Sequence, residues 1–313
     1  MIKDKPYFIQ FIVLLAVVFI SFAAAQLLSV LLFFVAGGSL SDMMDITNED
    51  NIGMMKVMQI VSQVFIFLVP VAVFSKLKTG SFTKYPLFNT PKSIGILLLS
   101  LIVLAVSFPF IGSVNLWNQS IEFPEALKGI ETLLRGLEDQ AMEMTEAFMK
   151  MDNIGDLLIN IIMIGFLAGL GEELLFRGTI QNFLSEWTKN PHFAIMVSAF
   201  IFSLIHLQFY GFFPRLLLGV LFGYLYYWSG TIWIPIIAHA LFNGLQVVGF
   251  YFAGNMDSFN MDEMEALPWY ATLISLISLI FVMWYFYKQC QKRNSIINYE
   301  QKLEENLQHH LPT

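Results

Sequence analysis

Apolar residues along this 313-residue chain fall in long blocks broken by short polar stretches, not at the three-and-four spacing of a soluble amphipathic helix. A helix crossing a bilayer needs about 20 apolar residues. That length predicts eight spans, at roughly 8–36, 54–75, 93–116, 154–183, 193–210, 212–229, 231–253 and 268–288. The expected fold is all-α: a polytopic transmembrane helix bundle of about eight spans. Turns containing Gly211, Pro214 and Gly230 make the links between the fifth and seventh spans very short. Two connections are longer. Residues 37–53 are polar and acidic, whereas 117–153 mix charges with Leu133, Leu134, Leu137, Met142 and Phe148. The second pattern predicts an amphipathic helix lying along the membrane surface. At the N-terminus, Lys3 and Lys5 and then Ala23-Ala24-Ala25 resemble a signal peptide, but the apolar run continues through Leu27–Val35. A retained first helix is expected.

Composition sharpens this picture. Hydrophobic residues make up 57% of the chain and charged ones only 13%, against about 25% charged in a soluble domain. A formal net charge of −7 leaves no basic face for nucleic acid. The single cysteine, Cys290, forms no intrachain disulfide and no cysteine metal site. With a cytosolic N-terminus, the inside segments would hold 12 of the 17 lysines and arginines and the outside segments 5. The positive-inside rule then expects a multi-pass protein of the cell membrane with both termini cytosolic. The acidic clusters Asp42–Asp50 and Asp257–Glu265 fall outside in that orientation. Nothing in the pattern bears on oligomeric state.

Polar residues inside the spans carry the candidate chemistry, because ionisable groups in hydrocarbon are costly and mark functional sites. The fourth span holds Glu172, Glu173 and Arg177, the fifth His206, and the seventh His239 and Asn243. At 1.5 Å rise per residue, these groups reach depths of roughly 12–20 Å on three helices, so one cluster is expected. His239 and Asn243 are four apart and share a face. Glu173 and Arg177 are also four apart and can pair. Glu172 points about 100° around the helix from Glu173, which leaves one carboxylate held by the arginine and the other free for chemistry.

Three motifs, Glu172-Glu173-x-x-x-Arg177, Phe202-x-x-x-His206 and His239-x-x-x-Asn243, stand in this order within residues 155–250. In that arrangement the chain resembles the CPBP family, the CAAX-protease and bacteriocin-processing (Abi-like) intramembrane proteases that include the Rce1-type prenyl-protein endopeptidases. The resemblance implies a catalytic core in spans four to seven. Glu172 would be the base that activates a water and His206 would help position it. His239 and Asn243 would bind the reacting carbonyl and its oxyanion, with Glu173 and Arg177 organising the site. It divides the chain into N-terminal helices with an extracytoplasmic loop (1–153), a protease core (154–253), and a last helix with a cytosolic tail (254–313). The substrate would be a membrane-associated peptide or protein. Two histidines and a carboxylate (His206, His239 and Glu172) can also bind Zn²⁺ with an open position for water, and the sequence leaves zinc and metal-free mechanisms both open. A catalytically idle scaffold or immunity protein, and a proton-coupled transporter, are the competing expectations.

Overall fold

The computed structural model describes residues 2–39, 49–91, 93–253, 267–293 and 301. The acidic segments 42–48 and 257–265, and the tail after 293 apart from residue 301, lie outside the described residues. Every regular element among the described residues is helical. We number the main helices α1 (Tyr7–Val35), α2 (Asn51–Thr79), α3 (Ile94–Gln119), α4 (Lys128–Met149), α5 (Ile154–Thr188), α6 (Pro191–Leu204), α7 (Phe212–Ser229), α8 (Trp233–Ala253) and α9 (Trp269–Lys292). All but α4 and α6 are long and apolar enough to cross a membrane. The chain is a multi-pass membrane protein.

The difference from the expected eight spans lies at the fifth. There α6 has 14 residues, about 21 Å of helix, which is short of a hydrocarbon core of about 30 Å. It starts on an Asn190 cap with Pro191 in the first turn and stops at Leu204; three residues later Leu207 has a positive φ of 56°. His206 therefore sits on the turn after α6 and not inside a helix. The hairpin α6–α7 is antiparallel, since a Cβ at Gly219 would meet Ala199 and one at Gly223 would meet Ile195. Its two ends consequently lie on the same side of the membrane whether or not α6 crosses the full thickness.

Two polar locks hold helices that the hydrophobic pattern could not pair. Pro109 stands inside α3 and interrupts its backbone ladder. The Ser275 hydroxyl of α9 fills the break, donating to Val106 O at 2.5 Å and accepting from Phe110 N at 3.0 Å. A neighbouring helix thus satisfies the backbone groups that proline leaves open in an apolar medium. At the far end of α5, Glu186 pairs with Lys78 of α2, both side chains fully buried. The Lys78 ammonium lies 5.0–5.9 Å from the ring centres of Tyr7, Phe74, Tyr85 and Phe183. This cage fastens α1, α2 and α5 at one end and leaves the site to be set elsewhere on α5.

Helix α4 occupies the region where an amphipathic surface helix was expected. It packs against α2, α8 and the short turn Phe209–Gly211. Ala147, Phe148 and Met149 are buried, while Ile130 and Leu133 are exposed.

Candidate active site

Close approach of α5 and α8 creates the site. Gly165 and Gly169 lie four apart on α5 and face Gly244 and Ala240 of α8. A Cβ at Gly169 would lie 2.8 Å from Ala240 N and 3.0 Å from its Cα, so only glycine admits this separation. Small residues are how membrane helices bring their backbones together. The contact sets His239, one residue before Ala240, beside the Glu172-Glu173 pair. Two stretches of α5, Ile161–Leu167 and Phe176–Gln181, have widened π-type turns, a local geometry that is frequent at functional sites.

Glu173 is the centre of the network. Its Oε1 accepts from Arg177 Nη1 at 2.7 Å and from His239 Nδ1 at 2.8 Å. Arg177 Nη2 also donates to Gly219 O at 3.1 Å, and its guanidinium lies 4.8 Å and 5.5 Å from the ring centres of Phe202 and Phe222. The Glu173 side chain is 0% exposed and that of Arg177 1%. An ionised carboxylate only accepts, so His239 Nδ1 carries a proton and Nε2 is turned toward the site. Phe222 stacks on the His239 ring at 4.8 Å and 19°, fixing its plane. His239 Nε2 lies 3.8 Å from Glu172 Oε2, too far for a direct hydrogen bond. Glu172 retains 15% of its side-chain exposure, and this separates it from its neighbour. One glutamate is locked and the other is accessible, as the 100° offset predicted. Glu173 thus orients His239 as well as pairing with Arg177.

His206 is held in the same manner. Its Nδ1 lies 2.7 Å from Phe202 O, and a carbonyl can only accept, so Nδ1 bears the proton and Nε2 is left for other partners. The Phe202 ring contacts both histidines edge-on, at 5.0 Å from His206 and 6.3 Å from His239. Asn243 is tied differently: its Nδ2 donates to Ile164 O at 3.1 Å within the first widened turn of α5. Among the described residues, no hydrogen bond joins Glu172 to His206 or Asn243. Nor do any three His, Cys, Asp or Glu side chains among them converge closely enough to hold a metal ion. Glu172, His206 and His239 are therefore not gathered as a ligand set here.

The family model described as "Type II CAAX prenyl endopeptidase Rce1-like" matches residues 154–245, which contain all six residues above. Over residues 154–245 the chain is therefore similar to that family. The Bacillus subtilis (strain 168) protein described as "Putative membrane peptidase YdiL" is 31% identical over 127 residues, covering 40% of this chain and 50% of that protein. "Uncharacterized protein YpbD" of the same organism is 27% identical over 90 residues, covering 28% of this chain and 43% of that one. The chain thus spans half or less of the length of these curated relatives. No solved structure matches it.

Several residues of the site went unread in the sequence. Phe222 and the Gly219 carbonyl belong to α7, whose composition resembles any apolar helix. Gly165 and Gly169 carry the small-x-x-x-small signal and could have been found by it. Arg215, counted only as an outside charge, stands on the first turn of α7 beside the His206 turn; its charge acts on both Glu172 and His206.

Proposed function

We propose that the protein is an intramembrane endopeptidase that hydrolyses a peptide bond of a membrane-associated protein or peptide with a glutamate-activated water. The observation that carries this proposal is the buried Arg177–Glu173–His239 chain, which orients one imidazole toward the accessible Glu172. Glu172 takes a proton from a water, and the resulting hydroxide attacks the carbonyl carbon. His206 Nε2, a lone pair when the ring is neutral, accepts from that water and aims it. The tetrahedral oxyanion receives a hydrogen bond from the Asn243 N–H not committed to Ile164. It also receives one from His239 Nε2–H when that ring is an imidazolium, with Glu172 and Glu173 as its countercharges. Donors fixed before the reaction make such stabilisation effective in a dry site. Protonated Glu172 then gives its proton to the departing amine nitrogen as the C–N bond breaks, so the protons balance. Where zinc binds, Glu172, His206 and His239 would have to close on it, and it would supply Lewis acidity to the same water.

The family resemblance supports this assignment, and a CAAX-type processing step fits it. We place the protein in the cell membrane with both termini cytosolic, on the lysine and arginine asymmetry. The test is cleavage of peptides, prenylated and not, by purified wild-type and Glu172→Gln protein, with metal content measured on the same samples. Loss of cleavage in a folded Glu172→Gln variant supports the assignment. Full activity there removes Glu172 as the base, and stoichiometric zinc selects the metal form of the mechanism.

A further inference from the structure

We propose that Arg215 binds a carboxylate of the peptide substrate, and so makes this site selective for chains bearing a negative group near the bond that is cut. The proposal rests on the peptidase function above. Arg215 lies on the first turn of α7 and is half-buried. The turn that carries His206 wraps around it: Arg215 Nη2 donates to Gln208 Oε1 at 2.8 Å and Nη1 to Gln208 O at 3.3 Å. Gly211 makes room, since a Cβ there would stand 2.4 Å from Arg215 Nη2. The segment from His206 to Gly211 is thus shaped to seat a guanidinium next to a candidate catalytic histidine.

What this guanidinium lacks is a carboxylate in direct contact. Among the described residues, the other arginine within a membrane helix, Arg177, has an acidic partner in contact, Glu173 at 2.7 Å. Arg215 makes no ion pair there, and its hydrogen bonds are to Gln208 alone. The nearest acidic groups are committed elsewhere. Glu138 of α4 accepts from Gln208 Nε2 at 3.2 Å and from Tyr210 N at 3.1 Å, bracing the turn from outside. Glu172 is the proposed base, and the charges of Glu138 first and then Glu172 reach Arg215 without an ion-pair contact. An arginine in a membrane span normally pairs with an acid or faces a pathway. A planar fork of donors is suited to a carboxylate, which it can bind with two parallel bonds. A peptide carboxylate engaged there would lie beside the His206 turn and so fix how far along the chain the cut falls. The same chemistry is offered by a C-terminal carboxylate and by an Asp or Glu side chain.

The experiment uses the full chain in nanodiscs, carrying Glu172→Gln so that bound peptides persist. It is offered equal amounts of random-sequence peptides in three forms: free C-terminal acid, C-terminal amide, and amide with Asp and Glu excluded. Retained peptides are quantified by mass spectrometry, and the wild-type protein is given the same pools for cleavage. Expected is at least tenfold enrichment of a carboxylate-bearing pool. Enrichment of the first pool alone identifies the terminus; enrichment of acidic amides identifies the side chain. Adding Arg215→Met should abolish the enrichment and Arg215→Lys should restore part of it, with thermal unfolding confirming that both variants fold. Equal retention of all pools overturns the proposal, as does enrichment that persists in Arg215→Met. Cleavage without carboxylate preference sinks this proposal and spares the peptidase function. Neither binding nor cleavage of any pool sinks both.

Discussion

Removing Glu173 should destabilise the protein more than removing Glu173 and Arg177 together. In Glu173→Ala, Arg177 keeps only the Gly219 carbonyl and the faces of Phe202 and Phe222, with 1% of its side chain exposed. His239 Nδ1 loses its acceptor at the same time. Stranding a buried charge in this way costs about 3–5 kcal/mol, a large share of the roughly 5–15 kcal/mol that holds a typical domain. Arg177→Ala should cost a similar amount, because the wholly buried Glu173 then keeps only His239. Glu173→Leu with Arg177→Met removes both charges and fills most of their volume, which is often neutral or better for a buried pair. The residual cost is the unpaired His239 N–H, about 1–3 kcal/mol. The double variant should therefore be more stable than either single variant, while remaining inactive because nothing orients His239. Reversible unfolding in mixed micelles gives the three stabilities, and peptide cleavage on the same samples gives activity. Additive losses, with the double variant near the sum of the singles, would refute the buried-pair argument. A double variant with full activity would refute the orienting role of Glu173.

Three further outcomes are expected. Gly169→Ala must push α8 away from α5, at an overpacking cost of about 1–3 kcal/mol; because His239 moves with α8, turnover should drop by up to about 100-fold, and unchanged kinetics would show that the close approach does not set the site. Lys78→Met should lower the unfolding midpoint more than Lys78→Met with Glu186→Leu, since the single change strands a buried carboxylate; the reverse order in a thermal melt would discount the lock. On α4, hydrogen bonds from Lys128, Arg135 and the Phe123 amide hold Glu131 well below its ordinary pKa of 4.5, at about 2. The depressed value means that its contribution is complete above about pH 4.5 and is lost as pH falls toward 2. Hydrogen exchange should show α4 loosening across that window in wild type, and Glu131→Gln should remove the pH dependence; an identical profile in both would place the acid sensitivity elsewhere.

The spacing of apolar blocks determined the helical, multi-span architecture, because length and hydropathy are local properties and a bilayer imposes one minimum length on every crossing. Most expected ends lie within a few residues of the observed ones, and the stretch 117–153 does contain a helix, α4. The same logic located Glu172, Glu173, Arg177, His206, His239 and Asn243, since polar groups in apolar runs are conspicuous. It overextended the fifth span: the apolar residues around His206 continue past Leu204, and only the turn geometry at 205–207 shows where the helix stops. The locking partners were beyond its reach. That Glu173 holds His239 as well as Arg177, that Phe222 fixes the imidazole plane, and that Ser275 mends the break at Pro109 are contacts between helices far apart in sequence. Inside a membrane the hydrophobic pattern does not say which faces meet, because lipid satisfies an apolar side chain as well as a neighbouring helix does. Close packing of small residues and a few buried hydrogen bonds make that choice, and only the tertiary structure records it.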